Sequence, residues 1–237
     1  IADGTLLGFE ALARWTDRDL GFISPNVFIP LAEERGFIDS LTETLLRKAS
    51  ETAKNWPSHM FLSFNLSSMQ LTDPATSHNV MAILNSVGLD PHRLELEITE
   101  TAMMSDPETA AKVINELRTV GIRVSLDDFG TGQSSLGRLR EFAFDKVKID
   151  RSFVNEITVD RSSETIVKAI LAMCEGLDLK VIAEGIETPE QAAKLLELGC
   201  RAGQGYLFGK AVNAETTYAL IKSERAAQRS HMTASHD

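Results

Sequence analysis

The sequence predicts an α/β protein built as a TIM-like (β/α)8 barrel. Short apolar segments rich in β-forming residues alternate with longer segments whose apolar residues recur at helical spacing. Such alternation is typical of a mainly parallel sheet with helices packed outside it, and 237 residues suit a single barrel. A doubly wound open sheet is the alternative, but no Gly-x-Gly-x-x-Gly motif follows an early strand.

Seven short segments are predicted strands, and four amphipathic segments between them are predicted helices. The strands are residues 6–14, 60–65, 93–98, 123–127, 146–149, 180–183 and 201–204. The helices are residues 38–55, 107–120, 164–176 and 189–198. Asp106 and Thr188 each precede a proline, which is typical of an N-cap followed by the first helical position. Glycines 88, 121, 176 and 199 lie where helices are expected to end.

Composition excludes several classes of protein. A formal net charge of −10 argues against binding DNA or RNA polymers through a basic face. No apolar run approaches the roughly 20 residues of a membrane span. Cys174 and Cys200 have no Cys-x-x-Cys spacing, so we expect buried thiols in a reducing compartment. No histidine pair resembles a zinc motif, which argues against a histidine-ligated zinc hydrolase. We expect one domain over residues 1–221 and a polar, disordered tail over residues 222–237.

Polar side chains recur at or near the carboxyl ends of the predicted strands. In a barrel these ends converge on one face, where catalytic groups collect. One such residue alone could simply begin a solvated loop, but repetition over six or seven strands favours a shared site. The residues, in chain order, are Glu10, Asn65, Glu97, Glu100, Asp127, Asp128, Lys148, Asp150, Glu184, Glu187 and Gln204.

Oxygen ligands of this kind are those that hard divalent cations prefer. The predicted donor set is Glu10, Asn65, Glu97, Asp127, Asp128 and Glu184. Clustered acids repel one another and raise one another's pKa values unless cations are bound, so the cluster itself indicates a metal site. Two cations can activate a water molecule and stabilise a leaving oxygen on phosphorus. Adjacent side chains alternate on a regular strand, so both aspartates can reach one metal pair only if the chain turns there.

A segment rich in glycine, serine and threonine follows the aspartate pair, from Asp128 to Ser135. In isolation it indicates a flexible turn. Beside a metal cluster it could be a mobile loop that organises the site or forms a partner surface. Glu100 and Thr101 could hold this loop by hydrogen bonds.

Ordered motifs give the chain a resemblance to the EAL-domain family. They are Glu10-Ala-Leu12, Asn65-Leu-Ser67, Glu97-Ile-Thr-Glu100, Asp127-Asp-Phe-Gly-Thr-Gly132, Lys148-Ile-Asp150, Ala183-Glu-Gly-Ile-Glu187 and Gln204-Gly-Tyr-Leu-Phe-Gly209. They extend over residues 8 to about 210, in the family's order and with its rough spacing. The resemblance implies metal-dependent hydrolysis of cyclic di-GMP to the linear dinucleotide 5′-pGpG, with two Mg²⁺ or Mn²⁺ ions.

The resemblance also implies a role for each site residue. Glu10, Asn65, Glu97 and Asp127 would bind one metal, and Asp127 would bridge to a second metal near Asp128 and Glu184. Lys148 would contact the attacking water or the phosphate, Glu187 would orient part of the site, and Gln204 would position substrate or water. Leu12 and Arg14 would contact the ligand, and Glu100 would support the 128–135 loop, where the family couples activity to dimerisation.

Three features depart from the family pattern. Members usually carry a helix and a Gln-Pro-Ile strand before the Glu-Ala-Leu strand, and the sequence begins after that point, so we expect a barrel apparently lacking those two elements. Gln133 lies where tyrosine is frequent, which could alter loop packing. Ala211 replaces a frequent proline, with a small expected effect.

Three functional hypotheses remain at this stage. The first is an active cyclic-di-GMP phosphodiesterase, supported by the complete acidic set and Lys148. The second is a receptor that binds cyclic di-GMP without cleaving it, and the third is an unrelated barrel enzyme of small-molecule metabolism. The resemblance implies a cytoplasmic domain, with sensory or diguanylate-cyclase domains and even a membrane anchor elsewhere in a longer parent chain, and a homodimer through the 128–135 loop.

Overall fold

The computed structural model describes residue 1 and residues 3–130 and 142–223. Residues 131–135 of the predicted loop, including Gln133, lie outside the described residues. So does most of the predicted tail, from residue 224 onward. In the described part of the chain, no helix combines the length and the apolar character that crossing a membrane requires.

Seven parallel strands form the main sheet of the described residues, in the order β1-β4-β5-β6-β7-β8-β9. A separate antiparallel hairpin pairs β2 with β3. The strands are β1 Gly8–Ala11, β2 Trp15–Asp17, β3 Gly21–Ile23, β4 Phe61–Asn65, β5 Leu94–Thr99, β6 Arg123–Phe129, β7 Lys146–Ile149, β8 Lys180–Ala183 and β9 Ala202–Gly203. Parallel neighbours need crossover connections, and here helices supply most of them.

The described helices alternate with these strands. They are α1 Pro25–Glu34, α2 Ile38–Ala53, α3 Ser68–Leu71, α4 Thr76–Val87, α5 Pro107–Thr119, α6 Arg151–Glu156, α7 Arg161–Gly176, α8 Pro189–Glu197 and α9 over residues 214–223. Short 3-10 turns cover Pro91–Arg93 and Glu100–Met103. Asp106 accepts from the Thr109 N–H at 3.1 Å, and Thr188 accepts from the Gln191 N–H at 3.2 Å, so both predicted caps are confirmed.

The TIM-like fold is confirmed. The amide of Gln204, just after β9, donates to Glu10 Oε2 in β1 at 3.2 Å, so the two edge strands of the sheet lie close together. The sheet is therefore curled, and the carboxyl ends of its strands face a common region. Helices surround it, as the alternating sequence pattern predicts.

Several predicted boundaries were wrong. The first strand ends at Ala11, so Leu12 and Arg14 follow the strand instead of belonging to it. Helix α7 begins at Arg161, three residues before the predicted start, and ends at Gly176 as predicted. Helices α1 and α4 and the β2–β3 hairpin were not predicted. In α1 an internal Pro30 hides the helical pattern, although Ser24 caps the helix by accepting from the Asn26 N–H.

Alternation along the central strands separates an apolar layer from a polar barrel interior. In β5, Leu94, Leu96 and Ile98 join the buried core under the helices, while Glu95 and Glu97 lie between them in sequence and point to the opposite face. The same alternation in β6 and β7 leaves a polar interior in which most side chains are buried: Glu95, Glu97, Arg123, Ser125, Asp127, Lys146 and Lys148.

Two ion pairs, two residues apart along both strands, connect β5 to β7 across this interior. Lys146 Nζ lies 2.7 Å from each carboxylate oxygen of Glu95, and Lys148 Nζ lies 2.7 Å from Glu97 Oε2. Burial lowers the pKa of Lys146, and the Glu95 carboxylate opposes that effect. The Glu95–Lys146 pair lies further from the carboxyl ends of the strands than the Glu97–Lys148 pair, and we infer that it supports the Glu97–Lys148 pair structurally.

Replacing Glu95 with alanine should lower the free energy of unfolding by about 3–5 kcal/mol, because the Lys146 ammonium is left buried without its partner. Urea unfolding in chelator measures this change. The matched control is Glu43→Ala, which removes the exposed partner of Arg47 and should cost less than about 1 kcal/mol. An equal, small loss for both variants would mean that Lys146 reaches solvent when Glu95 is absent.

Candidate metal centre

Lys148 lies at the centre of the acidic cluster. Its ammonium is 2.7 Å from Glu97 Oε2, 3.2 Å from Asp127 Oδ1 and 2.6 Å from Glu184 Oε1. The side chains of Lys148 and Glu97 are each only 2% exposed. Three strands, β5, β6 and β7, and the turn after β8 bring these four residues together. One positive charge therefore faces three carboxylates in a largely dry environment.

Amide side chains connect the remaining acids. Asn65, the last residue of β4, donates to Glu10 Oε1 at 2.8 Å. Gln204 donates to Glu10 Oε2 at 3.2 Å and to Glu184 Oε1 at 2.8 Å. These bonds hold the carboxylates of β1 and of the turn after β8 in fixed relative positions.

The chain turns at the aspartate pair, as a shared site requires. Asp128 has φ of +54°, an uncommon conformation for a residue other than glycine, and the pairing of β6 with β7 shifts register between Leu126 and Phe129. One carboxylate oxygen each from Asp127, Asp128 and Glu184 lies within 4.8 Å of the others. The bulge therefore lets adjacent side chains approach the same point.

Burial raises the pKa values of Glu97, Asp127 and Glu184, and that of Glu184 reaches about 8. The Lys148 charge opposes this effect at all three carboxyls, while carboxylate neighbours add to it. Burial by itself would lower the pKa of Lys148, but the surrounding carboxylates outweigh it and raise that pKa. Burial and neighbouring acids also raise the pKa of Asp128. The site thus holds more negative charge than one ammonium can balance.

These residues fit divalent cations. The donors are carboxylate and carboxamide oxygens, which hard cations prefer, and three carboxylates already converge to within 4.8 Å. The raised carboxyl pKa values show that additional positive charge would stabilise the ionised cluster.

Four further residues belong to the predicted site: Leu12, Arg14, Glu100 and Glu187. Leu12 is 46% exposed, and the exposed Arg14 donates from Nη1 to the Ala13 carbonyl at 2.8 Å. Glu187 is exposed, and its backbone N–H donates to Gln191 Oε1 at 2.7 Å. Glu100 opens the 3-10 turn after β5. The roles predicted for these four residues remain predictions.

Sequence reasoning missed some residues that contact the cluster or its support. Ser63 is buried in β4 and donates to Glu97 Oε1 at 2.6 Å, so both oxygens of Glu97 are engaged. The available signal was its spacing, because Ser63 lies two residues before Asn65 on the same face of the strand. Asp150, in contrast, accepts from the Ser152 N–H at 2.9 Å and caps α6.

Comparison with known proteins agrees with this geometry. The EAL domain family model matches residues 1–211. The chain is 37% identical over 223 residues to the bifunctional diguanylate cyclase/cyclic di-GMP phosphodiesterase MucR of Pseudomonas aeruginosa, covering 92% of this chain and 33% of MucR. It is 35% identical over 210 residues to the cyclic di-GMP phosphodiesterase RocR of the same species, covering 87% of this chain and 54% of RocR.

A solved structure of the PaMucR phosphodiesterase in complex with c-di-GMP superposes with a TM-score of 0.85 at 37% identity, covering 90% of this chain and 88% of that one. A structure of the EAL enzyme Bd1971 superposes with a TM-score of 0.86 at 34% identity, covering 91% and 60%. The chain spans only about a quarter to a third of the length of several curated relatives. Family match, fold and ordered acidic site agree, and the chain belongs to the EAL domain family.

Proposed function

We propose that this chain is a metal-dependent phosphodiesterase that hydrolyses cyclic di-GMP to linear 5′-pGpG. The observation that carries the proposal is the cluster of carboxylates around buried Lys148 at the carboxyl ends of the strands. The relatives MucR, NbdA and RocR are named as cyclic di-GMP phosphodiesterases, which supports the same substrate here.

Two Mg²⁺ or Mn²⁺ ions would be held by the oxygen donors. Glu10, Asn65, Glu97 and Asp127 would hold one, and Asp127 would be shared with a second held by Asp128 and Glu184. Relatives described as manganese and calcium complexes with cyclic di-GMP support divalent cations. When bound, such cations lower the pKa of water and offset negative charge on a phosphate.

Lys148 contributes a fixed positive charge. In the metal-free chain the surrounding carboxylates outweigh burial and raise the pKa of Lys148, which favours the ammonium form. The ammonium can donate hydrogen bonds to the attacking water or to a phosphate oxygen as negative charge develops there. The oxygen of one water molecule would bond to one phosphorus as the bond from that phosphorus to the 3′ oxygen breaks. The water gives up a proton and the 3′ oxygen gains one to leave as a hydroxyl, so the ring opens and one 5′-phosphate remains.

The surrounding residues would hold the substrate and organise the site. Arg14 has a guanidinium suited to a phosphate or a guanine edge, and Leu12 offers an exposed apolar contact beside it. Gln204 would keep Glu10 and Glu184 oriented through its two hydrogen bonds. Glu187 would orient part of the same shell, and Glu100 would support the 128–135 loop.

Partner domains and assembly follow from the same proposal. Relatives include a bifunctional cyclase/phosphodiesterase and an oxygen sensor protein, which supports sensory or diguanylate-cyclase domains in a longer parent chain. We propose a cytoplasmic domain that forms a homodimer through the 128–135 loop region. Light scattering of the purified chain with and without cyclic di-GMP tests the dimer.

Purified chain should convert cyclic di-GMP to 5′-pGpG with Mg²⁺ or Mn²⁺ and form no product with chelator, because the carboxylates alone repel a phosphate. Chromatography of the nucleotides measures both species. Binding of intact cyclic di-GMP without product in any metal would favour the receptor hypothesis. Neither binding nor cleavage, with turnover of other phosphoesters, would mean that this member of the family acts on a different substrate.

A further inference from the structure

The segment that carries Glu184 and Glu187 is held tightly on two sides. On one side, Gly185 lies against α6: its φ is +67°, and a Cβ there would lie 2.5 Å from Arg151 Cβ. On the other side, the buried Ile186 donates to the Gln204 carbonyl and accepts from the Leu207 N–H, each at 3.0 Å. These close backbone contacts hold the segment at Gly185 and Ile186.

Gln191 in α8 provides a third contact, made by a side chain. Its Oε1 accepts from the backbone N–H of Glu187 at 2.7 Å and from that of Thr188 at 3.0 Å. Its Nε2 donates weakly to the Asn155 carbonyl of α6 at 3.4 Å. Gln191 is only 7% exposed, so water does not readily replace these bonds.

One of these hydrogen bonds, to the N–H of Glu187, is not part of the helix cap. The bond to Thr188 completes a capping box at the start of α8. The shorter bond to Glu187 fixes a residue that precedes the N-cap and lies in the carboxylate-bearing segment. Within that segment, Glu184 forms an ion pair with Lys148 at 2.6 Å and accepts a hydrogen bond from Gln204 at 2.8 Å, so a backbone shift there would move a central member of the cluster.

We propose that Gln191 is a positioning residue that sets the affinity of the carboxylate cluster for divalent cations by fixing the backbone at Glu187. The inference rests on the metal site of the proposed function. Removing a group that hydrogen-bonds directly to a metal ligand commonly changes metal affinity by about 10- to 100-fold. Gln191 acts one step further away, through the backbone of Glu187, so we expect an effect at the lower end of that range.

The experiment compares three variants of the chain in direct Mn²⁺ binding by titration calorimetry, with thermal unfolding in chelator alongside. Gln191→Met keeps the volume of the side chain but cannot accept either N–H, and we expect about tenfold weaker Mn²⁺ binding. Gln191→Glu keeps the acceptor and loses the weak bond to Asn155. Its added negative charge lies at the start of α8, where helix N–H groups stabilise it, so we expect binding within about twofold of the original chain.

Asp160→Ala is the matched control for loss of a helix cap. Asp160 accepts from the Ser162 and Ser163 N–H groups at the start of α7 and takes no part in the carboxylate cluster, so its removal should lower thermal stability without changing Mn²⁺ affinity. Unchanged affinity in Gln191→Met would overturn the proposal. Weakening of Mn²⁺ binding in Gln191→Glu or in Asp160→Ala, to the same extent as in Gln191→Met, would also overturn it. The loss of affinity would then follow from lower stability of the chain alone. A chain that binds Mn²⁺ but never cleaves cyclic di-GMP would remove the proposed function and leave this test intact.

Discussion

Glutamine in place of Glu184 is expected to abolish turnover and, at the same time, to raise the melting temperature of the metal-free chain at pH 8. Loss of a ligand carboxylate should lower the rate roughly a thousandfold, because charge stabilisation by bound cations is worth several kcal/mol. Glutamine keeps an oxygen that can accept from Lys148 and Gln204. The fold should therefore persist while the chemistry is lost.

The gain in stability follows from the pKa of Glu184. Burial raises that pKa to about 8, from 4.5 for an ordinary glutamate, so the folded chain favours the protonated form. Ionisation therefore costs stability. The cost is absent below about pH 4.5, grows as the pH rises, and is complete above about pH 8. A neutral glutamine does not incur it.

Thermal unfolding in chelator from pH 5 to pH 9 measures this effect, and nucleotide chromatography measures turnover. The original chain should lose melting temperature as the pH rises, and Glu184→Gln should lose less. Glu156→Gln, a matched change at an exposed position of α6, should alter neither quantity. A variant that melts lower than the original chain at pH 8 would show that the Lys148–Glu184 ion pair outweighs the cost of burial.

Substitution of Lys148 by methionine is expected to cost about 3–5 kcal/mol of stability in chelator, because three buried carboxylates lose their shared cation. Saturating Mn²⁺ should restore much of that loss, since a ligand that binds only the folded chain stabilises it. Mn²⁺ binding itself should be retained. Turnover should fall by about 10²- to 10³-fold, as is common when a fixed charge near the reacting oxygens is removed.

Urea unfolding with chelator or with Mn²⁺, together with the nucleotide assay, tests this result. Lys146→Met is the matched control, because Lys146 is buried against Glu95 two residues earlier on the same strand. It should lose stability in chelator, recover less with Mn²⁺ than Lys148→Met does, and keep turnover. If Lys148→Met is as stable as the original chain in chelator, the carboxylates must be protonated there, and Lys148 would not act as their counter-charge.

Much of the fold was predictable because its signals are local. Periodicity identified all seven strands of the main sheet, two of them with their observed ends, 146–149 and 180–183. Local chemistry also identified the caps at Asp106 and Thr188. Helix α1 was not predicted because its internal proline obscures the helical pattern. The end of the first strand was predicted too late, at Arg14 instead of Ala11, because strand ends depend on pairing with the neighbouring strand.

Order and spacing along the chain were enough to identify the family, the barrel-like alternation of strands and helices, and the acidic residues at the strand ends. Which of these acidic residues meet became clear from the three-dimensional contacts. The tertiary structure placed Lys148 among three carboxylates, brought Ser63 to Glu97, and directed the Gln191 side chain to the backbone of Glu187. These contacts join residues on different strands and helices, and their distances depend on how the sheet curls and how the turns pack, which no local pattern specifies.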